Sequence, residues 1–178
     1  TVKILKDINC LSVSLGIEAG DEEQRRTTLN RRVSDEAIKS AFSQLHRANI
    51  RVSSYNIIGF PDDNRGKIFK TIRLNRECRP DFVNVFLCCP LPKTKIREYC
   101  LENGLLETEE IVDENKVSVI KVKNVSKPEL YGLFRTFGFY VKLPDFFRPL
   151  IKRAEKMDLY GGLLCKVLKK VELLIKGC

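Results

Sequence analysis

The 178-residue chain has no tryptophan, one histidine (His46) and one methionine. A mixed Cys/His zinc site draws several ligands together at close spacing, so a lone histidine gives it little support. No apolar run approaches the ~20 residues that span a bilayer. The N-terminus lacks the basic-then-apolar pattern of a secretory leader. Acidic residues are also short: 32 Lys and Arg face 23 Asp and Glu, a formal charge of +9. Such an excess reads equally as solubility or as attraction to nucleic acid, an anionic cofactor or a membrane surface. The seven cysteines (10, 78, 88, 89, 100, 165 and 178) form no CxxC pair and no evenly spaced framework. Free thiols of this kind place the chain in a reducing, cytoplasmic setting. The first residue is threonine rather than methionine, which raises the expectation of a piece of a longer chain.

What is present is an alternation of patterns. Val2, Ile4, Leu5 and Ile8 have helical spacing, and Leu11–Ile17 reads as a strand. Asp21 and Ser34 are placed to cap helices. The second of these, Ser34–Ala48, carries Ala37, Ile38, Ala41, Phe42 and Leu45 as its apolar stripe. Ile50–Ile58 predicts a strand closed by the breaker cluster GFPDDN. Arg65–Arg79 predicts a helix with Ile68, Phe69, Ile72 and Leu74 inward, stopped by Pro80. Asp81–Cys89 predicts a third strand, and a helix then runs to about Asn103 with Gly104 behind it. Beyond Leu106 the pattern changes. ETEEIVDENK reads as loop, and Val117–Val125 as a short extended segment. Helices follow over Ser126–Lys142, Pro144–Lys156 and Leu159–Lys176. The whole reads as a partial, half parallel β/α barrel with an α-helical C-terminal extension. Its divisions are 1–106 (barrel), 107–125 (linker) and 126–178 (extension). Three β/α units cannot close a barrel, and they leave an exposed edge.

The stretch LSVSLGIEAGDEE puts a carboxylate, Glu18, at the end of an apolar strand. An unpaired buried carboxylate costs several kcal/mol, so Glu18 either meets water and partners or holds something. Ligands of parallel α/β folds sit at the carboxyl ends of the strands. Those ends are GIEAG, NIIGFPDDN and LCCPLPKT. Gly59 permits close backbone approach, Pro90 and Pro92 withhold amide donors, and Arg31 carries a guanidinium suited to a carboxylate. Taken singly, each of these also reads as an ordinary cap, turn or solvated charge.

In order and spacing, SLGIEAG, the arginine before the Ser34 helix, NIIGFPDDN and FLCCPLPKT together resemble the second half of the radical S-adenosylmethionine (SAM) core domain. The nearest subgroup often carries an N-terminal cobalamin-binding domain. The resemblance covers roughly Val2–Leu106. It implies that Glu18 contacts the SAM ribose or methionyl amine and that Arg31 pairs with the SAM carboxylate. It also implies that Tyr55, Ile57 and Gly59 line the ribose and adenine side, with Cys89 (beside Cys88) where the strand backbone passes the base. The implied cofactors are SAM, a [4Fe–4S] cluster and, in the parent protein, cobalamin. One electron from a donor such as flavodoxin or ferredoxin then cleaves the sulfonium to a 5′-deoxyadenosyl radical. The cluster needs a CxxxCxxC loop, which the sequence lacks.

The expectation is therefore a C-terminal fragment of a radical SAM enzyme, inactive alone. Its missing N-terminal half-barrel would be its partner, and a small-molecule or lipid-like substrate is unspecified. The alternative is a non-catalytic, degenerate half-barrel used for binding or assembly. The missing cluster loop supports the alternative, as do two departures from the family pattern: Asp62-Asp63-Asn64 for Gly-Glu-Thr and Lys93 for a turn glycine; Ala19 also replaces the usual Ser. The tail from Lys142 on holds nine Lys and Arg against four Asp and Glu. Its last helix has a stripe of Leu164, Val167, Leu168, Val171, Leu174 and Ile175. Packing against the fold is the plain reading. Membrane-surface docking and nucleic-acid contact compete, both weakened by the absence of interleaved aromatics, and nucleic acid is not expected. The five aromatics upstream (Phe137, Phe139, Tyr140, Phe146, Phe147) read as core or interface.

Overall fold

The structure is a computed structural model and describes residues 2–108 and 118–176. Its elements run α1 (Val2–Asp7), β1 (Ser12–Glu18), α2 (Glu22–Thr27), α3 (Asp35–Arg47), β2 (Arg51–Ile58), α4 (Arg65–Cys78), β3 (Phe82–Leu87) and α5 (Lys95–Glu102). After these come α6 (Lys127–Lys142), a 3-10 turn (Asp145–Phe147), α7 (Arg148–Ala154) and α8 (Leu159–Lys176). The strands form one three-stranded parallel sheet in the order β1-β2-β3. This is an α/β fold consistent with part of a parallel β/α barrel followed by a helical extension.

Local chemistry explains the element ends. Asp21 accepts from the Gln24 amide to start α2, and Ser34 accepts from the Ala37 amide to start α3. Thr94 and Ser126 do the same for α5 and α6, where Pro128 fills an early helical position that needs no amide donor. Asparagines take the left-handed turns at Asn9, Asn30 and Asn49, where their short polar side chains are tolerated.

The chain divides into two compact units, 1–57 with 66–86, and 58–65 with 87–178. In the first, Ile17, Val52, Ile38, Phe42, Leu45, Ile50, Leu74 and Cys78 make the core, with Val13 and Leu15 packed against it. One face of β1 and β2 is thus covered by helices. Ile38, Phe42 and Leu45 take up the burial expected of α3, whereas Ala37 is exposed. Burial pushes the Cys78 thiol up to about 12. A polar ladder crosses this packed layer. Asn56 and Asn75 exchange side-chain hydrogen bonds of 3.3 and 2.6 Å. Asn75 also donates to the Thr71 carbonyl, and the Thr71 hydroxyl accepts from the Gly20 amide at 2.8 Å.

In the second unit, Leu130, Leu133, Phe137, Leu143, Ile151, Ala154 and Leu168 are almost fully buried. Arg65 clamps Glu155 with two hydrogen bonds of 2.8 and 2.7 Å and reaches Glu129 at 3.1 Å. Tyr140 donates at 2.5 Å to Glu155 Oε1, the oxygen that also accepts from Arg65 Nη2. Burial is the main force holding the Tyr140 hydroxyl protonated well above its usual range, and Glu155 adds to it. The extended segment expected at Val117–Val125 is not a strand among the described residues. It makes two isolated bridges, Leu106 with Ile120 and Asn64 with Asn124; Val117 and most of the expected acidic loop lie outside the described residues. The expected stripe of α8 is only half right: Leu168 is buried, but Val167, Leu174 and Ile175 are exposed. Among the described residues no helix is long and apolar enough to cross a membrane.

Candidate functional site

The end of β1 departs from regular strand geometry. A register shift falls between Gly16 and Glu18 in the pairing with β2. Glu18 takes a left-handed φ of 65°, and the Ala19 amide donates back to the Ile17 carbonyl at 2.9 Å. A non-glycine residue in this region costs ~1–2 kcal/mol. The turn folds the Glu18 side chain back over Gly16. A Cβ at Gly16 would lie 2.0 Å from Glu18 Oε1 and 3.0 Å from Arg31 Nη1, so the absent side chain makes the floor on which both groups rest.

Glu18 and Arg31 meet at 3.5 Å, with side chains 26% and 37% exposed. At that distance, the outer limit of a hydrogen bond, the pair is loose. Burial raises the Glu18 carboxyl above the usual carboxylate range, and Arg31 offsets this only in part. A half-buried carboxylate with a single distant cation is an incompletely satisfied group. It suits a ligand carrying both a positive and a negative end.

Gly16 pairs with Tyr55 across the sheet, which puts the carboxylate, the guanidinium and the Tyr55 ring on one face of the sheet. Ile57 follows on the same face, opposite the buried row Val52, Ser54, Asn56 and Ile58. Tyr55 stacks on Phe86, with ring centroids 5.7 Å apart and planes 14° apart. Phe86 was not among the sequence-derived candidates. Period-two alternation along β3 was the signal that could have placed it there.

A fully buried arginine, Arg25, holds this corner together. It donates to the Ala19 carbonyl at 2.7 Å, to the Val33 carbonyl at 3.2 Å and to Asp35 at 2.5 Å. The Arg31 amide in turn donates to the Arg25 carbonyl at 2.8 Å. One side chain thereby fixes the residue after Glu18 and the stretch that carries Arg31. Arg25 was not among the sequence-derived candidates.

Gly59 and Cys89 belong to the second unit. Gly59 has φ 85°, which favours glycine. Asp63 is buried and accepts from the Gly59 and Phe60 amides at 2.7 and 3.1 Å. The aspartate therefore closes the turn despite its shorter reach. Cys88 donates its amide to the Ile58 carbonyl, and the half-buried Cys89 uses its carbonyl to accept from Leu91. Lys93 forms its tight turn after all, at φ 64°, against the expectation that a lysine there weakens it. Lys93→Gly is expected to stabilise the protein by ~1 kcal/mol by relieving that left-handed residue; a higher midpoint in urea unfolding with an unchanged slope checks it.

Residues 1–74 match the family model of the Radical SAM superfamily. That match is consistent with a radical SAM domain. The chain is also similar to an uncharacterized methyltransferase of Pyrococcus horikoshii, with 27% identity over 165 residues covering 85% of this chain. It spans 35% of that relative's length. The radical SAM family implies SAM and a [4Fe–4S] cluster. The Glu18–Arg31 corner fits the methionyl end of SAM, since a loose carboxylate and guanidinium match an ammonium and a carboxylate. The cluster does not fit these residues. Among the described residues no three His, Cys, Asp or Glu side chains group to hold a metal ion. Nothing in these comparisons speaks for cobalamin.

Proposed function

We propose that this chain supplies part of the SAM pocket of a radical SAM enzyme, with its C-terminal helices as a cap. The carrying observation is the Glu18–Arg31 pair, strained and half-desolvated over Gly16, on the face that also presents Tyr55 and Ile57. In this reading Glu18 takes the methionyl ammonium, Arg31 takes the carboxylate, and the Tyr55–Phe86 stack offers an apolar wall beside them. The cluster ligands lie elsewhere in the parent protein. Two observations support that division: the span of 35% of the relative's length, and the position of β1 at the edge of the sheet with Ser12 and Ser14 exposed. The name of the relative makes methyl transfer the first reaction class to assay.

The test is anaerobic reconstitution of the full reading frame followed by assay for 5′-deoxyadenosine. Release is expected. Gly16→Ala is expected to reduce it at least about 10-fold, because the added Cβ displaces the Glu18 carboxylate and a charge-assisted contact is worth ~1.5–3 kcal/mol. A reconstituted cluster with no 5′-deoxyadenosine would overturn the proposal in favour of a binding or assembly module.

A further inference from the structure

Helix α8 leaves an apolar face open that the SAM pocket does not use. Within its unit it packs on α7 and α6. Gly161, Leu168 and Glu172 are buried at a spacing of seven and four residues. Tyr160, Leu163, Val167 and Leu174 are 69%, 50%, 50% and 72% exposed. At 100° per residue these four fall within an arc of about 60°, away from the buried line. Lys166 and Lys170, both exposed, flank that arc on the side away from the core. The single acidic residue of α8, Glu172, is buried and accepts from Lys169 at 3.0 Å. The open face is therefore apolar along its middle and positive along its margin, with no exposed carboxylate on the helix.

We propose that this face of α8 docks on an anionic phospholipid surface. Tyr160, Leu163, Val167 and Leu174 enter the headgroup boundary, and Lys166 and Lys170 meet the lipid phosphates. Charge decides the choice of occupant. A second copy packed antiparallel, face to face, would set the two lysine margins against each other, whereas an anionic bilayer neutralises them. At 18 residues, or roughly 27 Å at 1.5 Å per residue, α8 presents its stripe along a line that suits an in-plane helix. The placement is independent of the SAM reading.

The experiment is co-sedimentation of the full-length protein with phosphatidylcholine vesicles and with vesicles that also contain phosphatidylglycerol. Binding is expected only to the second, falling as salt rises. The double variant Lys166→Gln with Lys170→Gln is expected to bind about 25-fold more weakly, about five-fold per lysine at ~1 kcal/mol each. Val167→Asp is expected to abolish sedimentation while thermal unfolding is unchanged. Absence of binding to anionic vesicles overturns the proposal. So does equal binding to neutral vesicles, or full binding by Val167→Asp. A loss of stability or of oligomeric state in Val167→Asp also overturns it, since the face would then be covered by protein.

Discussion

Replacing Arg25 with methionine is expected to lower the unfolding free energy by about 3 kcal/mol, the lower end of what removing one member of a buried ion pair costs. Methionine fills much of the same space, so the loss is of hydrogen bonds rather than volume. The Ala19 and Val33 carbonyls lose their donors, and Asp35 loses a contact of 2.5 Å. The lower end applies because the Asp35 side chain is 33% exposed and recovers water. Arg25→Lys is expected to recover less than half, since an ammonium on a flexible stem cannot serve three acceptors in a fixed fork. Urea unfolding followed by circular dichroism checks both variants. A change of under about 1 kcal/mol in Arg25→Met would show the network to be a surface pair of ordinary worth. A loss of this size is a large share of the ~5–15 kcal/mol that holds a typical domain.

The Arg25 network also marks where sequence stops being informative. Features set by a residue and its near neighbours were legible: the caps at Asp21 and Ser34 and the stop at Pro80. The carboxylate at the strand end was legible as a candidate because ligands of parallel α/β folds sit at the carboxyl ends of the strands. Arg25 was not, because an arginine in a polar helix announces burial only once the loop from Ala19 to Val33 closes around it. Asn56 and Asn75 escaped for a related reason. Each reads as a surface polar residue until β2 and α4 bring the two amides together. Lys93 failed in the opposite direction: a residue ill suited to a left-handed turn still occupies one, because the contacts on either side outweigh a penalty of ~1–2 kcal/mol. The open face of α8 follows the same logic. A helix with apolar residues at core spacing declares how many it could bury, but not how many find a partner.

Glu18→Gln is expected to separate stability from ligand binding. Desolvation raises the Glu18 carboxyl, and Arg31 counters it only in part, so the folded state holds the proton more tightly than the unfolded chain. Stability from that proton is fully present below the unfolded carboxylate value and is lost as pH rises through the raised native one. Above that window the ionised side chain is a net burden on the fold. Glutamine removes the burden while keeping the shape. The variant is therefore expected to be more stable than the parent at neutral pH, with the gap closing as pH falls below the ordinary carboxylate range. In the full-length protein the same change removes the only charged partner proposed for the methionyl ammonium. SAM affinity is expected to drop about 10- to 100-fold, as for loss of a charge-assisted hydrogen bond of ~1.5–3 kcal/mol. Isothermal titration with SAM and parallel unfolding curves at neutral and acidic pH measure the two effects separately. If stability and affinity fall together, Glu18 is a structural partner of Arg31. If stability rises while affinity falls, the carboxylate is kept at the strand end for the ligand.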